Sequence, residues 1–252
     1  MSSSVESSVE FEPRVAPRLL PALGGVFRLT WAQQMLPRNI IMAVLVVAGF
    51  SAVGYLMGKG GSTGFINWID RMLLLICVPI FAFETGARAI REDLKPGAVD
   101  YVITRSLPRW AYPLFKYISQ WVVLALLGVA ALGVLLMIGR FLDIEVGSVF
   151  VRTGVLLAGL SAFQALGFFL GCLTSRYLLL GLLYAGVVEA AVGAVPVQLN
   201  NLSILRHLMI ALDGYNPAAE LGLVILIALG LLAAATGWFV RLEFIGKKSD
   251  EA

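Results

Sequence analysis

Six stretches of this 252-residue chain are apolar enough, and long enough, to cross a hydrocarbon layer of about 30 Å as helices. They run over 39–57, 67–90, 111–138, 149–174, 177–198 and 220–240. In lipid a spanning segment has no water to satisfy its backbone N–H and C=O groups, so runs of this kind are confined to helices. The fold class that follows is all-α, a polytopic membrane protein with six transmembrane helices over 39–240. The composition agrees: 59% of residues are hydrophobic and 14% charged, where a soluble domain carries roughly 25% charged residues. The second and third runs exceed the roughly 20 residues a span needs, so they tilt or project beyond the bilayer. Gly54 with Gly58, and Gly167 with Gly171, form GxxxG pairs that let helices approach closely.

The same arithmetic excludes several functions. A soluble globular enzyme does not fit, and too little chain lies outside the spans for a nucleotide-hydrolysing domain, which needs about 100 residues of its own. Both cysteines, Cys77 and Cys172, fall in apolar stretches, which argues against a disulfide framework or a thiolate zinc site. His207 is the single histidine, so multi-histidine metal sites and most nucleophile–base pairs are out of reach. Gly54, Gly58 and Lys59 miss the phosphate-loop spacing and lack the hydroxyl residue that should follow the lysine. No HExxH, CxxC or GxSxG sequence occurs. The net charge of +3 reads as a topology signal and not as a nucleic-acid footprint, because the basic residues sit beside apolar runs.

Outside the spans, residues 1–18 are rich in Ser, Glu and Pro and predict a disordered cytoplasmic tail. No cleaved secretory signal is expected, since the first long apolar run begins only after Arg38. Over 19–38, Leu19, Leu20, Leu23, Val26, Phe27 and Trp31 recur at helical spacing with Arg18, Arg28, Gln33 and Gln34 between and around them, which predicts an amphipathic interfacial helix. Residues 241–252 form a second cytoplasmic tail. With the N-terminus inside, fourteen of the 19 Lys and Arg residues fall in cytoplasmic segments and five outside. The positive-inside rule therefore places both termini in the cytoplasm of a plasma (inner) membrane protein.

The most informative segment is the inside connection from Arg88 to Lys116, RAIREDLKPGAVDYVITRSLPRWAYPLFK, with a loop over 91–110. Pro96 and Gly97 break any helix continuing from the second span. Val99, Val102 and Ile103 then present an apolar edge at i, i+3 and i+4, with Asp100 and Thr104 on the polar side and Arg105 and Arg109 following. Two readings fit that periodicity: a solvated loop anchored at the headgroups, or a short amphipathic helix displayed to a partner.

These residues resemble the loop between the second and third spans in the permease subunits of ABC exporters of the second permease type (type V exporter fold). There an acidic stretch, a glycine, a second acid, two arginines and a lysine opening the third span follow in order. Here Glu92 or Asp93, Gly97, Asp100, Arg105 with Arg109, and Lys116 take those places. Ala98 stands where Thr is usual, and Ser106 and Pro108 occur in exchanged order. The loop likeness covers about 25 residues; span count, inside termini, amphipathic first helix and length extend it over nearly the whole chain. The resemblance implies that Val99, Val102 and Ile103 belong to a coupling helix docking on a separate cytoplasmic ABC ATPase, and that Glu92, Asp93, Gly97, Asp100, Arg105, Arg109 and Lys116 complete the coupling interface. It further implies a second permease subunit, identical or related, and no cofactor bound by this chain, with ATP and Mg on the ATPase.

Glu84 and Arg88 are spaced and ordered for an intrahelical ion pair. Glu189 lies mid-span, where an ionised carboxylate costs roughly 2.5–3.5 kcal/mol on insertion scales. It requires a partner, water or a proton, and Gln164 and Tyr184 are the candidates. Either this group faces the translocation path or a subunit interface, or Glu189 is a neutral structural residue. Between the last two spans, 199–220 is amphipathic through Leu202, Leu205, Leu208, Met209 and Leu212 and should fold back on the bilayer. In the resembled family such a segment closes the outer end of the path, which makes Leu205, Arg206 and His207 an outer gate; Arg206 and His207 read as a wet, headgroup-facing pair. Asn216 and Pro217 mark the turn into the last span. The function expected is an ABC exporter permease with membrane lipid around it and no nucleic-acid partner. The alternatives are an intramembrane enzyme acting on lipids or isoprenoids through Glu189, Glu84 or Asp100, and a scaffold recruiting a cytoplasmic partner.

Overall fold

The computed structural model describes residues 19–94, 108, 110–192, 201 and 203–241. Every regular element among them is helical. Helix α1 (Leu19–Gln34) leads to α2 (Pro37–Gly60). Leu36 is extended (φ −59°, ψ 137°), as a residue before proline prefers, and Pro37 opens α2 where its missing N–H costs nothing. The expected helix over 19–38 thus ends at Gln34, and the break falls at Met35 and Leu36. Gly61, at φ 136°, reverses the chain in one residue, so α3 (Ser62–Asp93) follows α2 without the longer loop the apolar pattern implied. Three long or apolar helices come next: α4 (Ala111–Phe141), α5 (Val149–Leu173), and α6 over 177–192. A short helix, α7 (Ile204–Leu212), precedes the last, α8 (Pro217–Arg241).

Five of these helices are long and apolar enough to cross a membrane: α2, α3, α4, α5 and α8. The chain is therefore a multi-pass membrane protein. The segment expected to make a further span, 177–198, is helical to Val192, and 193–200 lies outside the described residues.

The core is organised around α5. Of its apolar window 83% is buried inside the protein, against 6% for α2, so α5 is the hub and α2 stands at the periphery. Helices α3, α4, α7 and α8 all pack on α5. Phe65, Leu74, Ile90, Leu132, Leu156, Phe168 and Leu208 fill the space between them and are shielded almost completely. The tightest crossing is that of α3 on α5. A Cβ at Gly171 would lie 2.7 Å from the Ala87 carbonyl oxygen, and Cβ atoms at Gly167 and Gly86 would fall inside the carbonyl oxygens of Phe83 and Gln164. The sequence signals Gly167 and Gly171; their counterpart on α3 is Ala82 and Gly86, a small-xxx-small pair of the same kind. Gly54 and Gly58 also mark close approaches, to Leu135 and Leu142 near the far end of α4.

Two features tie the peripheral helices in. Trp68 stacks on Phe50 with ring centroids 4.6 Å apart, and its indole N–H donates to the Phe50 carbonyl at 3.1 Å, pinning α2 to α3. Helix α1 packs along α4 with Val26 and Thr30 turned inward and Phe27 stacked on Trp31. Within α3, Trp68–Cys77 is π-wound: the Val78 N–H reaches the Leu73 carbonyl five residues back.

Candidate functional site

The helices leave two ends. One carries the 94–110 connection and the start of α6; the other carries the α2–α3 turn, the α4–α5 connection and α7. Each end has its own polar cluster.

At the first end, α3 closes at Asp93 and α4 begins at Ala111. Lys116 forms an ion pair with the Asp93 carboxylate, and the Tyr112 hydroxyl donates to Asp93 Oδ2 at 2.7 Å. Both charges are largely withdrawn from the surface, with 9% of the Lys116 and 17% of the Asp93 side chain exposed. The lysine ammonium also lies over the Tyr112 ring, 6.0 Å from its centroid, and that ring stacks on Phe239 of α8. Asp93 and Lys116 were singled out separately in the sequence; the fold makes them partners and so clamps the two ends of the loop together. Breaking one side of such a clamp is costly, because the buried Lys116 left alone would carry a large desolvation penalty. Arg88 bridges Glu84 at 3.4 Å and Glu92 at 3.9 Å on the exposed face of α3. These pairs are solvated and contribute little to stability. Gly97, Val99, Asp100, Val102, Ile103, Arg105 and Arg109 lie outside the described residues.

At the opposite end, Glu189 is the centre of a fully engaged acceptor group. Its carboxylate receives the Tyr184 hydroxyl at 2.7 Å, the Ser203 hydroxyl at 2.5 Å, and the backbone N–H groups of Ile204 and Leu205 at 3.1 and 3.2 Å. Ser203 accepts in turn from the Arg206 N–H at 3.2 Å. The first N–H groups of α7 are thereby satisfied by a carboxylate from α6 and by the serine before the helix, at the end of the helix dipole that favours negative charge. Tyr184 is the partner the sequence offered. Gln164 is not: it is fully buried in the core, donating from Nε2 to the Tyr117 carbonyl at 3.2 Å. It belongs to a polar seam between α4 and α5, where Tyr117 donates to the Ser161 carbonyl at 2.8 Å and Trp121 to the Ser161 hydroxyl at 2.9 Å.

The expectation that His207 is wet is corrected by its position. His207 is 4% exposed and lies on the inward face of α7 with Ile204, Leu208 and Ala211. Its Nε2 donates to the Asn201 carbonyl at 2.9 Å, and Nδ1 meets the Glu220 carboxylate. The i, i+3, i+4 spacing from Ile204 turns His207 toward α8, away from the surface where Arg206 stays half-buried. Helix α7 is thus anchored at its N-terminus by Glu189 and at its middle by Glu220. Sequence reasoning did not find Glu220, thirteen residues from His207, or the pair of half-buried Asp70 with buried Arg152, which joins α3 to α5 through two bonds of 2.7 and 2.8 Å.

This arrangement gives a direct expectation. Glu189→Ala removes the cap and leaves two backbone donors and two hydroxyls without their acceptor, a loss of about 3 kcal/mol. It should appear as a lowered thermal midpoint in detergent together with fast amide exchange over 204–212. Glu189→Gln keeps one acceptor oxygen and should fall between. An unchanged exchange profile in Glu189→Ala would mean that α7 does not depend on this carboxylate.

No family model and no curated protein sequence matches the chain.

Proposed function

We propose that this chain is the membrane-embedded permease subunit of an ABC exporter, working with a second permease and two cytoplasmic ATPases. The observation that carries the reading is the clamped base of the 94–110 connection. A long connection rich in charge is held at its root by Asp93, Tyr112 and Lys116, so a force applied to it is delivered to α3 and α4 together. From α3 it passes to the hub, because the glycine crossing leaves α3 and α5 no slack. Residues 99–109 supply an apolar edge followed by two arginines, which suits docking on a charged partner groove.

In this reading 177–198 is the sixth span, and the distribution of Lys and Arg sets the clamped end and both termini in the cytoplasm. Helix α7 then covers the outer end, with Leu205, Arg206 and His207 at the gate. ATP with Mg binds the partner ATPase, and its closure drives the two permease halves between inward-open and outward-facing states. The enzyme alternative has less behind it: four donors already occupy the Glu189 carboxylate, and Glu84 is an exposed partner of Arg88.

The test is a mild-detergent purification of the tagged full chain from its own membranes, with mass spectrometry of what accompanies it. A Walker-containing ATPase should be recovered with the wild type and lost, by about tenfold or more, when Arg105 and Arg109 are both changed to Glu. Size-exclusion profiles should be the same for both chains. A second variant, Asp93→Asn with Lys116→Met, leaves the displayed residues intact and should keep the ATPase bound while uncoupling its hydrolysis from transport. If no ATPase accompanies the wild type where other membrane complexes survive, the permease reading fails and an intramembrane enzyme takes its place.

A further inference from the structure

Between the π-wound part of α3 and helix α7 there is a cavity of about 520 Å³, within the range of about 300–1,000 Å³ usual for small-ligand sites. It is amphipathic in an ordered way. Asn67 and Arg71, four residues apart on α3, line one side, and Asp213 lines the other at the C-terminal end of α7. Leu205, Met209 and Ile76 supply apolar lining. No hydrogen bond or ion pair within the described residues uses the side chains of Asn67, Arg71 or Asp213, whereas Asp70, which also lines the cavity, is already neutralised by Arg152. From the cavity wall at Ile76, exposed apolar residues at four-residue spacing, Met72, Ile76 and Ile80, run along α3 into the membrane-spanning part.

We infer that this cavity binds one phospholipid with a zwitterionic phosphoethanolamine headgroup. The charges select it. A guanidinium is the best protein partner for a phosphate, since its fork of donors matches two phosphate oxygens, and the Asn67 amide stands beside it as a further donor. Asp213 sits where the α7 dipole is negative, so carboxylate and helix end together attract a cation. A primary ammonium meets that attraction and also donates hydrogen bonds to the carboxylate. A choline headgroup carries the same charge but has no N–H to donate, and an anionic glycerol headgroup satisfies Arg71 but brings Asp213 only neutral hydroxyls and no cation to balance the carboxylate and the helix end. The Met72–Ile76–Ile80 row takes the first acyl chain. The bound lipid bridges α3 to the far end of α7, the one part of that helix which neither Glu189 nor Glu220 holds. This site does not depend on an ATPase partner.

The full chain, purified and delipidated in detergent, is titrated with phosphatidylethanolamine, phosphatidylcholine and phosphatidylglycerol of matched chains, and bound lipid is counted by native mass spectrometry alongside the thermal midpoint. Phosphatidylethanolamine should be retained about fivefold better than either other lipid and should raise the midpoint. Asp213→Asn should abolish that preference while keeping residual phosphatidylethanolamine binding, and Arg71→Gln should weaken retention of all three lipids. Both positions are exposed, so the variants should match the wild type in gel-filtration profile. Soluble glycerophosphoethanolamine should leave the midpoint unmoved; an equal shift from it would replace the lipid with a headgroup metabolite and overturn the proposal. Equal retention of the three lipids, or a preference that survives Asp213→Asn, overturns it too.

Discussion

Gly167→Ala should lower stability by about 3 kcal/mol or more, although it adds a single methyl group to a helix that alanine otherwise favours. The reason is what the methyl meets. The added Cβ would fall inside the Phe83 carbonyl oxygen and within 3.0 Å of the Phe83 Cα, all backbone atoms of α3. A side chain can rotate away, whereas a helix backbone moves only as a whole. The α3–α5 crossing must therefore open, and it opens along its full length, because Gly86 and Gly171 define the same contact on either side. Core groups that close that seam, Ala82, Ile90 and Phe168 among them, lose packing together. Gly133→Ala is the control: nothing lies within 4 Å of its Cβ position, and the substitution should be neutral or slightly stabilising. Thermal unfolding of both variants in the same detergent checks the contrast. If Gly167→Ala unfolds with the wild type, α3 and α5 do not cross this closely in the membrane.

The same seam shows what a sequence of this kind reveals. Local spacing was enough to place Gly167 with Gly171, Glu84 with Arg88, Tyr184 near Glu189, and the Asn216–Pro217 turn, where Asn216 adopts φ 42° and α8 starts at Pro217. Each of these depends on residues within a few positions of one another. The pairs that hold the ends together do not. Asp93 meets Lys116 across 23 positions, His207 meets Glu220 across 13, and Asp70 meets Arg152 across 82. Their pairing follows from which helices are neighbours, and apolar periodicity is silent on that because lipid-facing and partner-facing surfaces are equally apolar. Gln164 was offered to Glu189 for the same reason: both are polar groups in apolar runs, and only the α4–α5 contact decides that Gln164 turns to Tyr117. The loop residues on which the ATPase reading leans, 97–107 and Arg109, lie outside the described residues, and that reading is carried by the sequence and by the clamp at the root of the connection.

Arg152→Ala should be the most damaging single change at the end that carries α7, costing about 3–5 kcal/mol. The guanidinium binds Asp70 through Nε to Oδ1 at 2.7 Å and Nη2 to Oδ2 at 2.8 Å, with only 10% of the arginine and 19% of the aspartate side chain exposed. Two parallel charge-assisted bonds fix the angle between α3 and α5 as well as their distance. Removing the arginine leaves a carboxylate in a poorly hydrated position with no counter-charge, and the penalty is mostly that of the abandoned Asp70. The double variant Asp70→Asn with Arg152→Gln separates this from simple loss of a contact: with both charges gone, most of the lost stability should return, because the desolvation cost of two ions goes with their attraction. Asp70 also sits in the π-wound turn Trp68–Cys77. If the pair holds that winding in place, Arg152→Ala should accelerate amide exchange over 68–77 while the crossing around Gly167 stays protected. Equal stability of Arg152→Ala and the double variant would show that the pair carries no net electrostatic role, and the winding would then owe its persistence to the packing of Ile69, Leu73 and Leu74.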